Sequence, residues 1–155
     1  MKGYRIAFIR HGMTQANLDG RYIGTTDLPL CREGADQLYE KIEKYDYPSV
    51  QKVYTSPLKR CKQTMSILQP NRLVAEMPEL REMDFGKFEN KTADELMNDP
   101  DYEQFIEGGL DNPPPNGEST REVINRCYEA LNIIISDMML SLIHISEPTR
   151  LDVIS

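Results

Sequence analysis

Ile6-Ala7-Phe8-Ile9-Arg10-His11-Gly12-Met13-Thr14 is an apolar run that ends in polar residues. Its apolar part, 6–9, predicts a central strand that is apolar on both faces, as the strands of parallel sheets are. Ligand sites in open α/β sheets lie at the carboxyl ends of the strands, and His11 stands at such an end beside Arg10. An imidazole next to a guanidinium is suited to take a phosphoryl group covalently. The alternative interpretation is a core histidine followed by a turn glycine.

The rest of the chain alternates strands with helices. Predicted helices cover 33–44, 58–68 and turns within 92–109, and predicted strands cover 50–54 and 73–75. Ser119 and Glu122 form a capping-box pattern that opens a long helix. The predicted apolar side of that helix carries Val123, Cys127, Leu131, Ile134, Ile135 and Met138. This alternation predicts an α/β fold with a mostly parallel central sheet and helices on both faces.

Composition limits the class of protein. The 155 residues fit one domain, and the net charge of −7 argues against a nucleic-acid partner. The three cysteines are odd in number, lie far apart and lack paired metal-ligand spacing, which favours free thiols in a reducing compartment. Arg5 and Arg10 interrupt the first apolar run, so it does not resemble a secretory signal, and no stretch approaches the roughly 20 apolar residues that span a bilayer. We therefore expect a cytoplasmic protein with no membrane partner, and the oligomeric state stays open.

Several motifs follow one another along the chain. Arg-His-Gly-x-Thr at 10–14 is followed by Asn17, and Ser-Pro-Leu-x-Arg-x-x-Gln-Thr spans 56–64. A Gly-rich loop covers 20–30, Leu-x-Glu-x-x-x-Gly covers 80–86, and Gly-Glu-Ser stands at 117–119. Together these motifs resemble segments of the histidine phosphatase superfamily, the phosphoglycerate-mutase-like proteins. The resemblance runs from about Tyr4 to Met139, with the motifs in the family's order.

The resemblance implies a role for each matching residue. His11 would be the nucleophile, and Arg10 and Arg60 would clamp the phosphoryl oxygens with planar guanidinium groups. Asn17 would donate its amide to phosphate, and Gly24 would belong to the substrate loop. Glu82 would be the general acid. Chemistry alone does not choose among four carboxylates, namely Glu79, Glu82, Asp84 and Glu89; only the resemblance favours Glu82.

The function that the resemblance implies is metal-independent hydrolysis of a phosphomonoester through a phosphohistidine, with no cofactor. The segment Met83-Asp84-Phe85-Gly86 is similar to that of α-ribazole phosphatases and of broad-specificity phosphatases, so we expect a small phosphorylated metabolite as the substrate. One alternative is a phosphoglycerate mutase. The acid segment of mutases of this type resembles Glu-Arg-x-Tyr-Gly, a pattern that this chain lacks. A second alternative is a catalytically silent module that binds phosphorylated ligands.

The end of the chain differs in character from the rest. The peptide from Leu140 to Arg150 matches a translation of a sequencing-library adapter, and the frame holds to Ser155. We therefore predict an incomplete histidine phosphatase domain over 1–139 and a non-native tail over 140–155. His144 is then not the family's second catalytic histidine, because it is followed by Ile145 rather than glycine. The chain as given is expected to be weakly active or inactive.

Overall fold

The helices form where apolar residues recur at helical intervals, as predicted. The computed structural model describes residues 5–141. Its helices are α1 Gln15–Leu18, α2 Arg32–Lys44, α3 Lys59–Leu68, α4 Ala93–Leu96, α5 Pro100–Glu107 and α6 Thr120–Ser141. Its strands are β1 Val53–Thr55 and β2 Val74–Glu76, and short 3-10 turns cover Pro78–Leu80 and Gly86–Phe88.

The two strands pair in parallel and are covered by helices on both faces. β1 aligns with β2 in the register Val53 to Val74 and Thr55 to Glu76. Successive side chains of a strand point to opposite faces. Tyr54 accordingly packs in the cluster that α6 covers, whereas Val53 packs with Met65 of α3 on the opposite face. The predicted α/β class with a parallel sheet between helices is therefore confirmed.

The segment 6–9 departs from its prediction. Residues 5–14 form neither helix nor strand, and Phe8 is 66% exposed. Side-chain contacts attach the segment to the core: Ile6 packs against the cluster under α6, and Ile9 packs against the cluster under α3. A run of apolar residues predicts burial, but a strand also needs backbone partners along an edge. Within residues 5–141 the sheet consists of β1 and β2, so the prediction of a central strand over 6–9 is wrong there.

Helix α6 begins as the capping-box pattern predicts. The backbone N–H and the hydroxyl of Ser119 both donate to Oε2 of Glu122, at 2.7 and 2.8 Å, and the Glu122 N–H donates back to the Ser119 hydroxyl at 3.2 Å. The buried stripe of the helix runs through Ala130, Ile134 and Met138. Ile135, predicted on the apolar side, is instead exposed, because it lies one position away from the stripe.

Other expectations are tested only over part of the chain. Within 5–141 no helix has both the length and the apolar character needed to cross a membrane. Cys31, Cys61 and Cys127 are free thiols, as predicted. The predicted tail lies outside the described residues from position 142 onward, and so does His144.

Candidate active site

A small cavity brings the predicted site residues together. It has a volume of about 220 Å³ and opens next to the imidazole of His11. Its lining includes five predicted residues: Arg10, His11, Asn17, Arg60 and Glu82. They come from three separate parts of the chain, so tertiary packing alone makes them neighbours. Gly24, the sixth predicted residue, does not line this cavity but contacts Arg60, which does.

His11 is oriented by its own neighbour in sequence. Its Nδ1 lies 2.7 Å from the carbonyl oxygen of Gly12. A carbonyl only accepts, so Nδ1 carries the proton and Nε2 keeps the lone pair of the neutral ring. Burial lowers the pKa of His11 below its usual 6.5, and the charges of Arg60 and Arg10 lower it further. The hydrogen bond to Gly12 and the charge of Glu82 oppose this shift. The environment thus favours the neutral, nucleophilic form of the ring.

The backbone that carries His11 is attached to α3. The Gly12 N–H donates to the hydroxyl of Thr64 at 2.9 Å, and that hydroxyl donates to the carbonyl of Arg60 at 2.7 Å. Thr64 is buried, and a side chain at position 12 would meet Leu38 at 2.8 Å. These contacts place His11 relative to the helix that carries the second arginine. The sequence pattern contained Thr64 but assigned it no role.

The two predicted arginines are held differently. Arg60, the second residue of α3, is only 2% exposed. Its Nη2 donates to the carbonyl of Gly24 at 2.9 Å and its Nη1 to that of Thr26 at 3.1 Å. A guanidinium has five N–H groups, so three remain for an anion in the cavity. Arg10 lines the same cavity but is exposed.

Gly24 is placed by steric and polar contacts with other loops. A Cβ at this position would lie 1.6 Å from the carbonyl oxygen of Met83. Its N–H donates to Oε1 of Glu89 at 2.8 Å, and its carbonyl accepts from Arg60. Gly24 therefore acts on the cavity through its bond with Arg60. Its predicted role in binding substrate stays a prediction.

Asn17 caps helix α1 and still offers a donor to the cavity. Its Oδ1 accepts from the N–H and the hydroxyl of Thr14, at 2.9 and 3.0 Å. These two donors identify the capping atom as the oxygen, so the amide nitrogen of the same group remains the donor. Capping and the predicted amide donation are thus compatible in one side chain.

The structure separates the four carboxylates that chemistry alone could not rank. Glu82 is exposed, lines the cavity with His11, and accepts one hydrogen bond from the N–H of Met83 at 3.0 Å. Asp84 caps the turn at Gly86, and Glu79 lines a different cavity next to α6. Glu89 holds a loop, as its bond to Gly24 indicates. Among the four, Glu82 is the carboxylate placed beside the imidazole.

The match to a protein family agrees with this constellation. The model of the histidine phosphatase superfamily (branch 1) matches residues 6–140. The chain belongs to the histidine phosphatase superfamily.

Relatives within the superfamily carry two kinds of name. A protein of Cronobacter sakazakii named "Probable phosphoglycerate mutase GpmB" is 31% identical over 133 residues, which are 83% of this chain and 61% of that protein. The chain thus spans about three fifths of the length of that relative. The α-ribazole phosphatase from Shigella flexneri is a structural neighbour with a TM-score of 0.81 and 27% identity, covering 96% of this chain and 71% of that one. YhfR of Bacillus stearothermophilus has a TM-score of 0.79 and 25% identity, with 99% and 74% covered.

Arg126 and Glu118 support the acid segment of this histidine phosphatase domain, and sequence reasoning assigned neither a role there. Arg126 is 8% exposed, and its guanidinium donates to both carboxylate oxygens of Glu118 at 2.7 Å. It also donates to the backbone carbonyls of Glu79, Arg81 and Glu82, at 2.7, 2.6 and 3.1 Å. The hydrogen bonds from Arg126 hold the pKa of Glu118 below its usual range. The signal for this role is a charged residue in line with the buried stripe of α6, since Arg126 stands four residues before Ala130.

Proposed function

We propose that this protein hydrolyses small phosphate monoesters through a phosphohistidine on His11, without a metal ion. One observation carries the proposal: an imidazole with a fixed Nδ1–H lines one small cavity with an amide, a carboxylate and three guanidinium groups, those of Arg10, Arg21 and Arg60. Phosphoryl transfer depends mainly on positioning and on neutralising charge in the transition state. Cationic side chains around a nucleophile supply both.

In the first step, Nε2 of His11 attacks phosphorus while the bond from phosphorus to the ester oxygen breaks. Glu82, protonated for this step, gives its proton to the departing oxygen, so the alcohol leaves neutral. Arg60, Arg10 and the amide of Asn17 bind the non-bridging oxygens. Each preorganised donor of this kind commonly contributes roughly 100- to 1,000-fold in rate.

In the second step, water hydrolyses the phosphohistidine. The Glu82 carboxylate accepts a proton from water as its oxygen attacks phosphorus, and the bond to Nε2 breaks. Inorganic phosphate leaves, and the imidazole and the carboxylic acid are regenerated. The same carboxyl group therefore acts as acid in one step and as base in the next.

The aromatic part of the cavity lining supports an apolar or planar alcohol in the substrate. Tyr22 and Phe85 line the cavity, with their ring centroids 5.1 Å apart. Burial and a hydrogen bond with Tyr102 raise the pKa of Tyr22 to about 12, so its ring stays neutral. An α-ribazole phosphate-like ester, or a range of small esters, suits this combination of cationic and aromatic side chains. The free thiols support a cytoplasmic location, because thiols persist in reducing compartments.

A phosphoglycerate mutase is the second candidate function, favoured by the name of the Cronobacter relative. A mutase would return the phosphoryl group to a sugar acid, whose carboxylate needs a polar partner. The acid segment here places the Phe85 ring in the cavity wall, which favours hydrolysis of less polar esters. Assaying interconversion of 2- and 3-phosphoglycerate beside hydrolysis separates the two functions.

The test measures p-nitrophenyl phosphate hydrolysis, in the presence of EDTA, by the protein and by its His11→Ala variant. We expect turnover that the substitution abolishes, together with an acid-labile, base-stable phosphoenzyme formed only by the unsubstituted protein. Equal turnover by both proteins, or turnover that EDTA removes, would overturn the proposal. Phosphate binding without turnover or phosphoenzyme would support a silent phospho-ligand-binding module instead. The same assay measures the predicted weak activity of this chain.

A further inference from the structure

Glu89 is a carboxylate whose two oxygens are both occupied by loop donors. Its Oε1 accepts from the N–H groups of Gly24, Thr25 and Phe85, at 2.8, 3.0 and 3.2 Å. Its Oε2 accepts from the N–H and the hydroxyl of Thr26, at 3.3 and 2.5 Å. One side chain therefore joins the loop over 24–26 to the turn that begins at Phe85. A carboxylate bonded in this way is not available as an acid or base.

The same loop residues hold Arg60 from their other side. The N–H of Gly24 is bonded to Glu89 while its carbonyl accepts from Nη2 of Arg60, and Thr26 repeats this arrangement with Nη1. The peptide group between Gly24 and Thr25 thus has its N–H bound to the Glu89 carboxylate and its carbonyl bound to the guanidinium. Hydrogen bonds in such a chain polarise and strengthen one another.

The loop is closely packed at Gly24. Gly24 is buried, with the Met83 carbonyl where a side chain would begin. Without the carboxylate, four backbone N–H groups and a hydroxyl would lose their acceptor, and they would move to find water. The two carbonyls would move with them, and the guanidinium would lose its fixed orientation toward the cavity.

We propose that Glu89 is a positioning residue that sets the orientation of the Arg60 guanidinium through the backbone carbonyls of Gly24 and Thr26. This inference rests on the proposed function, in which Arg60 binds the phosphoryl oxygens. Glu89 itself contacts no substrate. Its effect on phosphate affinity should therefore depend on the presence of an arginine at position 60.

A double-mutant cycle tests the proposal with inorganic phosphate as the probe. The proteins are the unsubstituted chain, Glu89→Gln, Arg60→Lys and the double variant, and 31P NMR titration gives the Kd of each. Lysine keeps the positive charge but cannot bond both carbonyls and an anion as a fork does. Glu122→Gln is the matched control, because Glu122 also accepts a backbone N–H and a hydroxyl, at the start of α6.

We expect Glu89→Gln to weaken phosphate binding about tenfold, and Arg60→Lys to weaken it by at least as much. In the Arg60→Lys background, Glu89→Gln should then change Kd less than about twofold. Additive effects, or an effect as large for Glu122→Gln, would overturn the positioning role and leave Glu89 a general stabiliser of the fold. If Arg60→Lys leaves Kd unchanged, the proposed function of Arg60 fails; if only Glu89→Gln leaves it unchanged, this inference fails alone.

A second measurement needs neither activity nor the Arg60 variant. The charge of Arg60 lowers the pKa of His11, so displacement of the guanidinium by Glu89→Gln should raise that pKa, as read from the imidazole proton shifts. Loss of the Glu89 charge by itself would lower it, so a fall or no change overturns the proposal. Should Glu89→Gln fail to fold by circular dichroism, Thr26→Val removes a single donor to Oε2, and the same rise, smaller in size, is expected.

Discussion

Two regions of this protein have the same pattern in sequence, but only one of them forms regular secondary structure. Residues 6–14 and residues 53–64 each run from an apolar stretch into polar residues and an arginine. The second region forms β1 and α3, and its arginine is buried. The first forms no strand within the described residues, and its arginine is exposed.

His11 obtains its position from the regular region, not from its own segment. His11 lies in the irregular region, yet its backbone is attached to the regular one through the bond from Gly12 to Thr64. Helix α3 therefore supports both His11 and Arg60. Substitutions in α3 and in the loop that contacts it should then affect the site more than equivalent substitutions beside His11.

The largest effect is expected from the two arginines. Arg60→Lys should lower kcat/KM for p-nitrophenyl phosphate by roughly 100- to 1,000-fold, because a buried fork bonded to two carbonyls is lost. Arg10→Lys should lower it by about tenfold, since an exposed side chain can readjust. Steady-state kinetics of the two variants measure the difference. Equal losses would mean that burial and bonding of Arg60 contribute nothing to the site.

Gly24→Ala should destabilise the fold and weaken the site together. The methyl group would meet the Met83 carbonyl, and relieving the overlap costs about 1–3 kcal/mol in the free energy of unfolding, or more. Gly20→Asn is the control, because position 20 has a φ of +67° with open space around it, a conformation that asparagine tolerates. Urea unfolding compares the two. A loss for Gly20→Asn as large as that for Gly24→Ala would contradict the steric explanation.

Thr64→Val should detach the nucleophile from α3. The variant keeps the shape of the side chain but leaves the partly buried N–H of Gly12 without its acceptor, which costs about 1–3 kcal/mol. We expect kcat to fall about tenfold while the helix content stays the same. Ser66→Ala, in the exposed part of the same helix, removes a hydroxyl bonded only to the carbonyl of Gln63 and should leave kcat unchanged. An unchanged kcat in Thr64→Val would show that His11 is positioned by its own segment.

The smallest effect concerns pH. Because burial and the two arginines lower the pKa of His11 below 6.5, the neutral ring persists as the pH falls, and the acid limb of kcat/KM should lie below pH 6.5. Arg10→Gln removes one of these charges, so the pKa should rise and the limb should move to higher pH. Arg32→Gln, an exposed arginine paired with Asp36, should leave the limb in place. A shift toward lower pH in Arg10→Gln would contradict this electrostatic picture.

Local patterns predicted the elements that depend on local interactions. Helices α2, α3 and α6 follow from apolar spacing, and the Ser119 capping box is a contact within four residues of the chain. The family motifs likewise indicated His11 and Arg60. The strand over 6–9 was predicted wrongly because a ladder depends on partners that are remote in sequence.

The amino-acid sequence by itself determined the family, the α/β class and the residue types that meet in the candidate site. Only the tertiary structure decided which carboxylate stands beside His11, since Glu82 and Glu89 lie in one segment and differ only in their distant contacts. It also decided that Arg126 supports the backbone at Glu82 and that Thr64 holds the backbone next to His11. Helix spacing and motif identity can be read along the chain, whereas the role of a buried charge is set by groups that only folding brings near it.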